Sequence, residues 1–126
     1  MTIDNAGLGP LDITVTRIGT ATVLSVRGEL DLVTSPYLRE SIDAVFASST
    51  PTALIVDLTD VPFLASVGMG VLVDAGHRVS PAQFAVVADG PATRRPLMLV
   101  GVDQTVPMYT DLQAAVAALL PGEKSI

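Results

Sequence analysis

The chain has no cysteine and no tryptophan, a single histidine, and only three phenylalanines and two tyrosines. Without cysteine there is no disulfide framework, no thiolate metal ligand and no thiol nucleophile. With aromatics at 4% of residues, the core must be built from Val, Leu, Ile and Ala. That is the composition of buried parallel strands in a small α/β fold. One histidine and no D-x-D-x-D-G loop leave no recognisable metal-ligand set, so neither a metal nor any other cofactor is expected. Positive charge is scarce as well, with seven Lys and Arg against thirteen Asp and Glu and a net charge of −6. Contact with phosphate backbones needs concentrated positive charge, and an anionic membrane surface repels an acidic chain. Neither nucleic acid nor membrane is therefore expected as a partner. No run of about 18 apolar residues occurs that could span a bilayer. The opening MTIDNAGLGPLD lacks the basic start and apolar stretch of a signal peptide. A cytoplasmic protein is the expectation.

What the chain has is apolar residues, at 49% of 126, enough for the core of one compact domain. Residues 1–10, punctuated by Gly and Pro, read as a flexible leader, and residues 121–126 as a flexible tail. Ile13, Val15 and Arg17 start a period-2 pattern, Gly19–Thr20 gives a turn, and TVLSVR (Thr22 to Arg27) makes a second strand, predicting a hairpin. Gly28 stops it. Thr34 or Ser35 can cap a helix with Pro36 at its first position, and Leu38, Ile42, Val45 and Phe46 keep helical spacing to about Ser48. ALIVDL (Ala53 to Leu58) is the strongest strand signal. A helix follows from about Ser66 to Val79, then a strand from Phe84 to Ala88 and a short helix from Thr93 to Leu99. A weak strand from Val106 to Tyr109 precedes a last helix from Leu112 to Leu120 capped by Asp111. The order β-β-α-β-α-β-α-β-α predicts a single α/β domain, residues 11–120, with a mostly parallel sheet of four to five strands and helices packed on it. The place of the hairpin in the strand order stays open, with one strand either at the edge or inserted.

Enzyme signatures are weak. His77 stands eleven residues after Ser66 on one predicted helix, about 16 Å along its axis, too far for direct proton transfer. Gly68 and Gly70 suggest a dinucleotide loop, but the third glycine of G-x-G-x-x-G would fall at Val73, and no G-x-x-x-x-G-K occurs. The two glycines are better read as letting the helix pack closely on the sheet. Arg94 and Arg95 form the one basic pair and read as solvated surface. Met69, Met98 and Met108 read as core fillers, with Met69 notable as a neighbour of Ser66. Ser66 is the definite chemical handle. A serine at a helix start serves as an N-cap, and a phosphate placed there would meet the positive end of the helix dipole.

From about residue 11 to residue 120 the chain resembles the STAS family, and within it the bacterial anti-sigma factor antagonists. Gly28–Glu29–Leu30–Asp31 resembles the G-E-[LI]-D motif, with Thr34 three residues on. Val56–Asp57–Leu58 and Val61–Pro62–Phe63–Leu64 are similar to the third strand and its loop. Ser66–Val67–Gly68–Met69–Gly70 is similar to the phosphorylation motif D-S-[ST]-G-L-G. The resemblance implies a non-enzymatic protein that binds a serine-kinase-type anti-sigma factor and so releases a sigma factor. Phosphorylation of Ser66 by that partner would end the binding, and a phosphatase would reset it. The implied contact residues are Asp31, Thr34, Ala65, Ser66, Val67, Gly68 and Met69. Ala65 replaces the motif's acid, and Val67 its second hydroxyl. Ser66 is thus the only acceptor in the motif, and a ligand-sensing or scaffold STAS domain that is never phosphorylated stays open as an alternative.

Overall fold

The computed structural model describes residues 3–4 and 11–120. Six strands form one sheet: β1 (Ile3–Asp4), β2 (Asp12–Ile18), β3 (Ala21–Arg27), β4 (Ala53–Asp60), β5 (Gln83–Val87) and β6 (Met108–Tyr109). Four helices join them: α1 (Ser35–Ser48), α2 (Ser66–Arg78), α3 (Arg94–Leu99) and α4 (Leu112–Leu119). Spatial strand order follows chain order, β1-β2-β3-β4-β5-β6. The first three strands pair antiparallel and the remaining pairings are parallel. The expected element order is therefore present, and the hairpin lies on the outer side of the sheet with β3 against β4. Ile3–Asp4 adds a short edge strand within the segment read from sequence as a leader. The rest of that segment, and the tail from 121, lie outside the described residues.

Strand alternation explains the layers. Leu54, Val56 and Leu58 of β4 face one side with Leu24 and Val26, and are covered by Leu38 and Ile42 of α1 and Leu72 and Ala75 of α2. Ala53 and Ile55 face the other side with Val23, Ala85 and Val87, beneath Ala115 and Leu119 of α4. Burial on both faces is why the central strands read as unbroken aliphatic runs. The last expected strand is shorter than the sequence suggested. A 3-10 turn at Val102–Gln104 intervenes, Val106 plugs the core, and only Met108–Tyr109 join the sheet. Met69 and Met108 pack against the core as expected. Met98 does not, and is exposed, because Leu97 takes the inward position on its short helix.

Helices α1 and α2 lie side by side and are clasped by charge. Arg39 reaches Asp74 at 3.4 Å, and Arg78 bridges Asp74 of its own helix and Asp43 of α1. These pairs tie the second half of α2 to the first two-thirds of α1.

Candidate functional site

The site forms where two chain-distant loops leave the carboxyl ends of β3 and β4. Gly28 turns out of β3 with φ of 116°, a conformation that side chains disfavour. The segment after it then runs alongside the segment after β4. The Leu30 amide donates to the Phe63 carbonyl at 2.9 Å and the Ala65 amide to the Leu30 carbonyl at 2.8 Å, so Leu30 and Leu64 pair as a single parallel bridge. Both leucines are buried. These two bonds bring the G-E-L-D loop to the mouth of α2.

Inside that loop the polar groups close on themselves. The Asp31 carboxylate accepts from the Val33 and Thr34 amides, each at 3.0 Å. The Thr34 hydroxyl accepts from the Asp31 amide at 2.9 Å and donates to the Glu29 carbonyl at 2.5 Å. The Thr34 amide holds the Asp31 carboxyl below the usual aspartate range; desolvation opposes it, and the Val33 amide adds to it. Thr34 is the N-cap residue of α1, but its side chain makes no capping bond; its hydroxyl is spent on the loop. Thr34 is buried, so it shapes the loop and presents no surface.

At the mouth of α2 the N-cap position belongs to Ala65, in extended conformation with φ −85° and ψ 166°, and no side chain caps the helix. Ser66 is the first helical residue and not the N-cap its sequence context suggested. Its side chain is exposed and performs no capping. As at any helix start, the first amides have no intrahelical acceptor and carry the positive end of the dipole. Gly68 is buried. A Cβ added there would lie 2.9 Å from Leu64 Cδ1, 3.2 Å from Leu30 Cβ and 3.3 Å from Ser35 Oγ. The expected close packing at Gly68 thus exists, but against the loop and the start of α1 instead of the sheet. Gly70 faces open space, with nothing within 4 Å of an added Cβ, so that half of the expectation fails.

Of the residues predicted for partner contact, Ser66 and Val67 are exposed, Asp31, Ala65 and Met69 are half-buried, and Thr34 and Gly68 are buried. Residues the sequence reading passed over complete the surface. Leu32 is 75% exposed, Val33 68% and Phe63 50%, and Tyr37 stands one turn into α1. Two adjacent apolar residues immediately after G-E-L-D, in a loop with no core position to fill, were the available signal. His77 is exposed in the last turn of α2, at the opposite end of the helix from Ser66. Among the described residues no cluster of His, Asp and Glu is arranged to hold a metal. No helix among them is long and apolar enough to cross a membrane.

The STAS domain family matches residues 12–115. The chain belongs to the STAS domain family. It is 39% identical over 113 residues to the anti-sigma-F factor antagonist RsfB of Mycobacterium tuberculosis, covering 89% of this chain and 92% of that protein. The crystal structure of an anti-sigma factor antagonist from Mycobacterium paratuberculosis superposes with a TM-score of 0.82 at 43% identity, covering 86% of this chain and 93% of that one. The phosphorylated form of the Bacillus cell fate determinant SpoIIAA shares the fold alone, with a TM-score of 0.63 at 16% identity over 84% of this STAS domain chain and 98% of the other.

Proposed function

We propose that this STAS domain is a cytoplasmic anti-sigma factor antagonist that docks on a serine-kinase-type anti-sigma factor through the mouth of α2, is released when Ser66 is phosphorylated, and is reset by a phosphatase. The observation that carries the reading is an exposed serine with no capping role, next to exposed Val67 and at the junction of two hydrogen-bonded loops that expose Leu32, Val33 and Phe63. Those side chains suit an apolar contact with a protein partner. A phosphoryl group adds about −1.5 to −2 charges at neutral pH. At a helix start the fold tolerates that charge, but burying it in an apolar interface is costly. A loss of about 3 kcal/mol weakens binding roughly a hundredfold. The protein serves as binding surface and substrate, and the ATP chemistry belongs to the partner. The names of the 39% and 43% identical relatives support the same role.

The test is phosphoryl transfer and capture with the cognate anti-sigma factor. Wild type gains one phosphoryl group in the presence of kinase and ATP, whereas Ser66→Ala gains none. Ser66→Glu captures the partner far more weakly. Equal labelling of Ser66→Ala overturns the site, and unchanged capture by Ser66→Glu overturns the charge switch. Ala65, in the place of an acid, favours the scaffold reading; tight capture of a partner with no labelling of Ser66 would establish it.

A further inference from the structure

A second unpartnered surface lies one strand away, on α3, at the same carboxyl edge of the parallel sheet. Leu99 is 73% exposed and Val100 63%, and Met98 beside them is exposed too. Three consecutive large apolar residues facing solvent are unusual on a soluble domain. Arg94 and Arg95 stand one turn earlier. With Gly90 and Pro91 they line an open basin of about 500 Å³ whose floor includes Met98 and Leu99. The ion pairs among the described residues all belong to Arg39 and Arg78, so neither guanidinium on α3 has a carboxylate partner among them. Arg94 donates to the Ala88 carbonyl at 3.4 Å, which fixes it at the basin wall, and Arg95 is exposed. Asp89 and Asp103 are the acids on the adjoining turns, and neither forms an ion pair with them. In a chain with thirteen acids and seven bases, two arginines with no ion pair among the described residues, beside an apolar ridge, are a local reversal of the protein's charge.

We infer that the α3 ridge and its basin receive an acidic segment of a protein partner, one carrying apolar side chains at helical spacing. Its carboxylates would pair with Arg94 and Arg95, since arginine offers carboxylates a two-pronged donor. Its apolar face would cover Met98, Leu99 and Val100. Charge decides against a membrane as occupant. The net charge of −6 opposes approach to anionic lipid, and α3 has only six residues, too short an apolar face for stable insertion. None of the residues that line it belongs to the mouth of α2.

Fluorescence anisotropy tests the inference, using a labelled synthetic helix that alternates Leu and Glu at helical spacing. The acidic peptide binds the full chain, and Arg95→Gln weakens it about tenfold, the size expected when a charge-assisted pair is lost from an interface. Leu99→Ser, which touches no charge, weakens it comparably, and added salt reproduces the arginine effect. Arg95 is exposed and Leu99 lies outside the core, so both variants keep the wild-type melting temperature. The inference is overturned if the acidic peptide does not bind, if a Gln-for-Glu version binds as well, or if Arg95→Gln binds undiminished. It is also overturned if anionic vesicles compete for the ridge, or if the protein self-associates through it, since either outcome names a different occupant.

Discussion

Gly68 and Gly70 are two residues apart on one helix, and the structure sends their alanine variants in opposite directions. Both substitutions replace a helical glycine, which by itself stabilises by about 1 kcal/mol. At Gly70 nothing opposes this, because beyond its own stretch of helix backbone the new methyl group meets nothing within 4 Å. Gly70→Ala is therefore expected to gain about 0.5–1 kcal/mol. At Gly68 the methyl would stand 2.9 Å from Leu64 Cδ1, 3.2 Å from Leu30 Cβ and 3.3 Å from Ser35 Oγ. Leu64 can shift its side-chain end, but Leu30 Cβ sits on a backbone pinned by the Leu30–Phe63 and Ala65–Leu30 hydrogen bonds. Forcing a methyl into a filled interior costs about 1–3 kcal/mol, so Gly68→Ala is expected to lose roughly 1 kcal/mol net, about 4 °C in Tm for a domain of this size. The propensity gain cancels between the two variants, and their difference isolates the cost of the close approach. Urea denaturation of both, with wild type alongside, reads it directly. A difference smaller than about 0.5 kcal/mol would refute the claim that α2 is seated on the G-E-L-D loop through Gly68. Because that seating positions Ser66, Gly68→Ala should also slow phosphoryl transfer to Ser66, while Gly70→Ala leaves it intact.

Three further outcomes follow from the loop and its neighbours. Thr34→Val keeps the shape but strips the Asp31 amide and the Glu29 carbonyl of their partner, and is expected to cost about 1–3 kcal/mol in thermal or urea unfolding; Thr34→Ser should restore most of it. Asp31 has its carboxyl held below the ordinary value of 3.8, so its stabilisation of the loop is complete above that value and fades as pH falls through the lower folded-state value. The Val33 and Thr34 amide resonances should move with a midpoint below 3.8 and lose that titration in Asp31→Asn; a midpoint at or above it contradicts the geometry. Ser35 Oγ is buried with no hydrogen-bond partner among the described residues, so Ser35→Ala should be neutral or stabilising by up to about 1 kcal/mol, and a clear loss in calorimetry would contradict that.

The fold was legible because its central strands and helices carry unmixed signals. Ala53 to Leu58 is aliphatic throughout since both sheet faces are covered, and Leu38, Ile42 and Val45 keep the period of the helix they form. The less legible parts are those where tertiary contact overrides local pattern. Ile3–Asp4 become a strand only because β2 offers an edge opposite Thr14 and Val15. Val106 reads as strand by type yet fills a core position after a turn. At the site, Ser66 and the G-E-L-D loop were readable as motifs, but their juxtaposition depends on two backbone hydrogen bonds that no sequence pattern announces. The roles of Thr34 and Ser66 differ from the simple capping expectation for the same reason. A hydroxyl near a helix start has several acceptors and donors within reach, and the surrounding loops decide which it uses. The exposure of Leu32 and Val33 was equally hidden, since apolar type alone does not tell a loop residue from a core one.

The agreement between strand sequence and strand position has a consequence for how the chain reaches this state. Each strand docks on the edge left by its immediate predecessor, so no later segment has to be threaded between two already in place. The sheet can grow in one direction as the polypeptide leaves the ribosome, with the hairpin as the first seed and every new βα unit extending it. Entropic cost is met in small instalments, because successive closures span one helix and its turns at most. An assembly order written into connectivity in this way leaves few compact alternatives in which the chain could stall.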